Sequence, residues 1–378
     1  MKIGIEAERA NLPNPTGVER YAAELIKNLA KIDSTNEYIL YFRTPPQPWF
    51  SELPKNFRIR LIPFPKFWTQ LRLSWEMIGH PVDALVILAS ALPLWHPKNS
   101  IFTAHDLAYE IYPQAFTKFM LYYQKWSTRF AARHAAKILA VSDATKQDLT
   151  KFYGTDPSKI VVTHLGFDAA QFHPRNYDEV QSVLDKYGLV YQKYVLFVGT
   201  IQPRKNLERL VEAFQKLRKQ YHVEEKLAIF GGRGWLWEPI VKKIKMAGAD
   251  GSAKYYDYLD KEDLPYIYAG AKLLTLPALY EGFGLPPLEA MASGVPVVVS
   301  NLSSMPEVVG AAGVLVDPNS VDAIADGLLK VLTDGNLRQG MIARGLEQAK
   351  QFSWENTARE TLKVIEGLNS KSEYRNSK

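Results

Sequence analysis

The chain reads as an α/β protein of two Rossmann-like domains with parallel sheets, and three observations predict this. Short β-branched runs alternate with segments of helical period from end to end, the pattern of parallel sheets covered by helices. A length of 378 residues is too great for one compact core and suits two domains of middling size. The alternation also pauses once, in a polar stretch at 168–193, and then restarts.

In the first series, strands are expected at 2–7, 37–42, 57–62, 83–89, 100–104, 137–141 and 159–163. The first helix declares its inner face. Val18, Tyr21, Ala22, Leu25, Ile26 and Leu29 recur at three- and four-residue steps, which makes one apolar stripe. In the second series, strands are expected at 194–198, 226–230, 254–256, 271–276, 295–300 and 314–316. The expected domains are 1–188 and 189–352, their sheets facing across a cleft. From 353 a final helix is expected to return to the first domain, with a polar tail that frays from Asn369.

Composition narrows the function classes. Hydrophobic residues make up 47% of the chain and charged ones 23%, ordinary for a folded domain. The lack of cysteine excludes disulfide scaffolds, cysteine zinc sites and thiol nucleophiles, and suits a reducing cytoplasm. No apolar run reaches the ~20 residues of a membrane span. The first residues carry Lys2, Glu6, Glu8 and Arg9 in place of an apolar leader, so the expected location is cytoplasmic. The net charge of +6 is unevenly spread, with 11 basic residues against 4 acidic between Lys55 and Lys137. Such a surface attracts anionic lipid headgroups, polyanions or charged substrates. Within it, 116–134 interleaves Phe119, Tyr122, Tyr123, Trp126 and Phe130 with Lys118, Lys125 and Arg129. That pattern fits either a packed amphipathic helix or one lying at a membrane interface.

The strongest chemical signal is Glu281-Gly282-Phe283-Gly284-Leu285-Pro-Pro-Leu-Glu289, which follows an apolar strand and opens an apolar helix. Its glycines let the backbone approach a ligand, and a helix N-terminus favours an anion. Two carboxylates eight residues apart can read the hydroxyls of one sugar or ribose. A second signal, Gly199-Thr200-Ile-Gln-Pro-Arg204-Lys205-Asn206, follows the strand at 194–198. Its cations oppose the dipole of the helix they precede, an opposition that a pyrophosphate would resolve. His105-Asp106 stands at the carboxyl end of the strand at 100–104, the side on which such sheets bind ligands. Weaker candidates are Gly17, between the first strand and its helix, and Ser142, which reads first as a helix cap and second as a substrate contact. Gly231-Gly232-Arg233-Gly234 lacks the spacing of a phosphate loop and reads as a turn.

The segment from Glu281 to Glu289 resembles the E-x7-E motif of retaining GT-B glycosyltransferases, most closely family 4. The resemblance extends over nearly the whole chain and implies that 1–188 holds the acceptor and 189–352 the nucleotide sugar. It implies that Glu281 and the amides of Phe283, Gly284 and Leu285 hold the donor sugar, while Glu289 binds the ribose. It implies that Arg204 and Lys205 neutralise the departing diphosphate and that His105 contacts the transferred sugar, with Asp106 orienting its ring. Gly17, Gly199, Thr200, Gly282, Tyr258 and Leu259 fall at the family's donor-binding positions. Thr200 departs from the pattern, because many members carry arginine there. The sequence has no Asp-x-Asp pair, the metal-binding pattern of the other large transferase class. The implied enzyme is therefore metal-independent, with a nucleotide sugar as co-substrate, no cofactor and no nucleic-acid partner. Its motifs look like those of bacterial mannosyltransferases of polysaccharide and lipopolysaccharide assembly. GDP-mannose is then the first donor and a UDP-hexose the second, with a saccharide or lipid-linked acceptor. Two other classes remain open at this point. A nicotinamide-dependent oxidoreductase would require a glycine triplet after the first strand, which is absent, and a non-catalytic module would bind the nucleotide sugar without turning it over.

Overall fold

The computed structural model describes residues 1–12, 16–89, 91–257 and 259–376, with backbone alone from Asn369 onward. The chain divides into two compact units. Unit 1 comprises Met1–Ile111, Thr117–Gly166 and the segment from Ser353; unit 2 comprises Tyr112–Phe116 and Phe167–Phe352.

Unit 1 is built on seven parallel strands: β1 (Lys2–Glu6), β2 (Glu37–Phe42), β3 (Phe57–Leu61), β4 (Ala84–Ile87), β5 (Ser100–Ala104), β6 (Lys137–Ala140) and β7 (Ile160–Val162). Their order is β3-β2-β1-β4-β5-β6-β7. The helices are α1 (Gly17–Ile32), α2 (Ser74–Gly79), α3 (Ala108–Ile111), α4 (Lys118–His134) and α5 (Asp143–Tyr153). The predicted stripe of α1 is the buried one, with Tyr21, Ala22, Leu25, Ile26 and Leu29 fully enclosed. Central strands such as β4, Ala-Leu-Val-Ile, are apolar at every position and buried at every position, as a sheet covered on both faces requires. Edge strand β3 carries Arg58 and Arg60 in its exposed run, charges that discourage pairing with another chain.

Unit 2 repeats the plan with six parallel strands: β8 (Tyr194–Val198), β9 (Lys226–Phe230), β10 (Ala253–Tyr256), β11 (Leu273–Leu276), β12 (Val297–Ser300) and β13 (Val314–Val316). Their order is β10-β9-β8-β11-β12-β13. Around them lie α6 (Tyr177–Tyr187), α7 (Leu207–Tyr221), α8 (Trp237–Ala247), α9 (Leu264–Ala269), α10 (Leu285–Ala292), α11 (Met305–Val309), α12 (Val321–Thr333) and α13 (Gly335–Ala349). In each sheet the strand order reverses direction once, between β1 and β4 and between β8 and β11. Such switch points open a crevice at the carboxyl ends of the strands.

The expected boundary at 188 moves to Gly166/Phe167, because the stretch read as irregular contains α6. Its capping box is complete: Glu179 N donates to Asn176 Oδ1 at 3.1 Å, and Asn176 N donates to Glu179 Oε2 at 2.8 Å. Left-handed Gly188 closes it at φ 65°. The helix buries Val180 and Leu184, and Tyr187 donates to Asp263 at 2.8 Å within unit 2.

The last helix, α14 (Trp354–Asn376), packs on α1 in unit 1. Where it begins, the chain crosses Gly166 so closely that a Cβ there would lie 2.1 Å from Trp354 N. Thr357 Oγ1 then donates to His164 O at 2.6 Å. The helix does not end at Asn369 but continues to Asn376, since that polar segment holds no glycine or proline to stop backbone bonding.

Candidate active site

In unit 2, the switch point brings the two strongest sequence signals together. The loop after β8 carries Arg204 and Lys205, and the loop after β11 carries Glu281. Lys205 Nζ donates to Glu281 Oε1 at 2.5 Å, and Arg204 Nη1 lies 3.4 Å from Oε2. Arg204 Nη1 also donates to Tyr280 O at 3.0 Å. Lys205 is 6% exposed and Glu281 is 7%. Burial alone would raise the Glu281 carboxyl pKa, but the Lys205 and Arg204 charges overcome it and hold the group below its ordinary value. The site therefore keeps one carboxylate ionised between two cations in a region nearly closed to water.

Backbone ties fix that geometry. Asn206, left-handed at φ 61°, donates from Nδ2 to Pro277 O at 2.9 Å and to Pro318 O at 2.6 Å. Leu279 N donates to Arg204 O at 2.8 Å. On the other side, Glu281 N donates to Ser303 Oγ at 3.0 Å, while Ser304 Oγ donates to the carbonyls of Glu281 and Phe283. Asn206, Ser303 and Ser304 did not emerge from the sequence reading as site residues. Asn206 carried a usable signal, an asparagine at the start of a helix that tolerates the left-handed turn.

The glycines have distinct reasons. Gly284 caps α10 at φ 108°, and a Cβ there would fall 2.3 Å from Met305 Cε. Gly231 approaches Gly199 so closely that its Cβ would lie 1.9 Å from Gly199 O. The 231–234 turn is thus a packing device: Ile201 N donates to Gly232 O, and Gly234 N donates to Ile201 O. A Cβ on Gly199 would stand 3.5 Å from Lys205 Nζ, which sets the Gly199 backbone beside the cation. Thr200 is exposed next to it, and Gly282, Phe283 and Leu285 lie in the loop and first turn around Glu281. Glu289 is 4% exposed, inside α10. Leu259 is half-buried after β10, whereas Tyr258 falls outside the described residues.

Unit 1 holds the remaining candidates. His105 follows β5, and its Nε2 donates to Leu88 O at 2.8 Å, leaving Nδ1 as the acceptor. Tyr21 meets the ring edge-on at 4.9 Å. Burial lowers the imidazole pKa despite the Leu88 carbonyl and the Asp106 charge, so the ring is neutral. The expectation that Asp106 orients this ring is corrected here. Asp106 Oδ1 accepts from Ala108 N at 3.0 Å at the start of α3, while Leu88 and Tyr21 set the ring. Ser142 is also corrected as a substrate contact. It is fully buried, and its Oγ accepts from Thr145 N at 3.1 Å as the cap of α5. Gly17 is exposed at the first turn of α1, and the preceding residues 13–15 lie outside the described structure. Of these unit 1 residues, His105 and Asp106 border a cavity of about 760 Å³ at the carboxyl ends of β1 and β5.

Known proteins match both units. The Glycosyltransferase Family 4 model matches residues 15–171, and the Glycosyl transferases group 1 model matches residues 185–348. The "O-antigen chain mannosyltransferase B" of Escherichia coli is 35% identical over 97% of this chain and 100% of that protein. The "MMP alpha-(1->4)-mannosyltransferase" of Mycolicibacterium hassiacum is 31% identical over 62% of this chain and 55% of that one. Among solved structures, sucrose-phosphate synthase from Thermosynechococcus elongatus superposes with a TM-score of 0.76 at 18% identity, covering 98% of this chain and 99% of that one. WaaG, a glycosyltransferase involved in lipopolysaccharide biosynthesis, gives 0.72 at 18% identity, covering 97% and 99%. Structural likeness at that identity speaks for the GT-B fold, and the sequence likeness over the full length speaks for the family. With two α/β units and a buried cation–carboxylate cluster joining the 199–206 and 281–289 segments, this chain belongs to the family 4 (group 1) glycosyltransferases of GT-B architecture.

Proposed function

We propose that the chain is a retaining, metal-independent hexosyltransferase that takes mannose from GDP-mannose and passes it to a saccharide or lipid-linked saccharide. A UDP-hexose is the second donor choice. The observation that carries this reading is the buried Arg204–Glu281–Lys205 cluster at the β8/β11 switch point. Leaving-group charge develops on the diphosphate, and preorganised cations in a water-poor site stabilise it most. Arg204 and Lys205 fill that role without a divalent ion. Glu281, kept ionised by the same cations, accepts hydroxyl protons of the donor sugar and orients it. Likeness to an O-antigen mannosyltransferase over the full length favours mannose.

In the proposed step, the acceptor oxygen bonds to the anomeric carbon as the bond from that carbon to the phosphate oxygen breaks on the same face. The departing phosphate oxygen takes the acceptor's proton, so no side chain need serve as nucleophile. His105, neutral, offers Nδ1 to a sugar hydroxyl and moves no proton of its own.

The experiment is a thermal-shift panel of GDP-, UDP-, ADP- and dTDP-sugars with a chelator present, since a donor that binds only the folded state raises its melting temperature. GDP-mannose should give the largest shift, unchanged by the chelator. No shift with any of them would sink the reading, and a shift that the chelator abolishes would sink metal independence.

Peripheral membrane contact is proposed on separate grounds in unit 1. Among the described residues, no helix is long and apolar enough to cross a membrane. Trp75, Ile78 and Trp95 are more than half exposed, and Tyr122 and Trp126 are 80% and 44% exposed. Trp95 N donates to Ser74 Oγ, and Gln70 Nε2 donates to Tyr123 OH, so these elements adjoin. Lys118, Arg129 and Arg133 stand exposed on α4 beside them. Aromatic side chains with nearby cations suit an anionic lipid interface.

A further inference from the structure

The loop after β12 reaches back to the Glu281 motif through three consecutive residues. Ser300 Oγ accepts from Leu302 N at 3.0 Å, and Asn301 N donates to Val316 O at 2.9 Å, which turns the chain out of the sheet. Ser303 then stands left-handed at φ 51°, a backbone region that serine rarely adopts and that persists where surrounding bonds over-determine it. Its Oγ accepts from Glu281 N at 3.0 Å. Ser304, fully buried, donates from Oγ to Glu281 O at 3.0 Å and to Phe283 O at 2.7 Å. Met305 closes on Gly284, where a Cβ would lie 2.3 Å from the methionine Cε.

These bonds dictate which way the peptide groups of the motif face. A trans peptide points its C=O and its N–H in opposite directions, and the described peptide bonds are all trans. The peptide joining Tyr280 to Glu281 gives its N–H to Ser303 and its carbonyl to Arg204 Nη1 at 3.0 Å. The serines and the cation therefore stand on opposite flanks of the loop. The peptide joining Phe283 to Gly284 turns its carbonyl to Ser304, so its N–H faces the flank of Arg204. Gly284 is buried, yet among the described residues its N–H meets no acceptor. A buried amide in that state calls for an oxygen from outside the chain. Glu281, ionised, can only accept a hydrogen bond, and the Gly284 amide can only donate one. A sugar hydroxyl does both.

We propose that Ser303 and Ser304 are positioning residues of the transfer, which touch no substrate and aim the Gly284 amide at a hydroxyl oxygen of the donor hexose. The proposal rests on the transferase reading and adds to it what holds the hexose as distinct from the nucleotide. Ser304 has one hydrogen for two carbonyls, so its loss frees both of those peptides to turn. Ser303 fixes the peptide from which Glu281 itself hangs.

The test is calorimetric titration of the full-length protein with GDP and with GDP-mannose, for the wild type, Ser304→Ala and Ser303→Gly, together with kcat at saturating donor. Both variants should bind GDP within about twofold of the wild type, bind GDP-mannose at least about fivefold more weakly, and turn over at least about tenfold more slowly. Glycine suits the left-handed backbone at 303, so a loss in Ser303→Gly is not a loss of fold, and melting curves check Ser304→Ala. If the wild type prefers a UDP-hexose, the same comparison with UDP decides. Affinity for nucleotide and nucleotide sugar falling by one common factor would mean a merely structural role and overturn the proposal, as would two variants that match the wild type. A wild type that binds no nucleotide sugar would sink the transferase reading and this proposal with it, whereas an active wild type with unaffected variants sinks this proposal alone.

Discussion

Lys205 illustrates how burial changes what a residue predicts. Read in sequence, it is a cation at a helix start that a pyrophosphate would engage, and replacing it would depress turnover far more than stability. Placed 2.5 Å from Glu281 in a nearly closed site, it also has a structural role. Breaking a buried pair by removing one partner costs about 3–5 kcal/mol, though Arg204 stays to share the carboxylate. Lys205→Ala is therefore expected to lower kcat by at least a hundredfold and also to lower the unfolding midpoint of unit 2, as denaturant titration followed by fluorescence would measure. A variant with normal turnover would remove the leaving-group role. The pH dependence follows from Glu281, whose folded pKa lies below the ordinary 4.5. Its contribution to stability is full above 4.5 and is lost as pH falls through the lower, folded value. Activity should hence show no carboxylate limb between pH 5 and 7 in the wild type, and in Lys205→Ala any residual activity should show one moved upward. His105 behaves in parallel. Its folded pKa is depressed from 6.5, so kcat should stay flat through that value, and an inflection there would mean the ring titrates in the working enzyme.

At the scale of elements, what was legible in the sequence depended on whether the signal was periodic or relational. All thirteen strands were expected within a residue or two of where they lie, because fully buried parallel strands write themselves as continuous apolar runs. Helix α6 was missed, although Asn176, Glu179 and Gly188 spell its capping box and left-handed stop, because its apolar face shrinks to Val180 and Leu184. The motifs at 199–206 and 281–289 were visible, but their joining was not. The bonds of Asn206 and Leu279 that join them link residues 71 or more positions apart, and those that tie the 281–283 loop to Ser303 and Ser304 span about 22. Gly284→Ala tests the loop as a unit. The left-handed backbone and the collision with Met305 should cost on the order of 1–3 kcal/mol and weaken donor binding, as calorimetric titration of GDP-mannose would show. Gly166→Ala should loosen α14 from unit 1, seen as faster proteolytic cleavage near Ser353.

At the scale of the whole molecule, each of the two units presents chemistry of its own. Unit 2 carries the buried Arg204–Glu281–Lys205 cluster, and unit 1 carries the neutral His105 at the edge of its cavity. The exposed aromatic and basic side chains of unit 1 carry the proposal of contact with an anionic membrane. Vesicles containing anionic lipid should retain the protein at low salt and release it as salt rises, and replacing Lys118, Arg129 and Arg133 with glutamine should abolish retention. Retention on neutral vesicles alone would refute the electrostatic part of that reading. The Glu281 motif alone was enough to suggest sugar chemistry, whereas the structure shows why its carboxylate is held as an anion. The most direct test follows GDP release and acceptor mass together, with GDP-mannose, a neutral mannoside acceptor and a chelator, for the wild type, Lys205→Ala and Glu281→Gln. The account predicts an acceptor heavier by one hexose and one GDP per product for the wild type, with both variants at least a hundredfold slower. Product formed at wild-type rates by either variant, or none formed from any nucleotide sugar by the wild type, would contradict it.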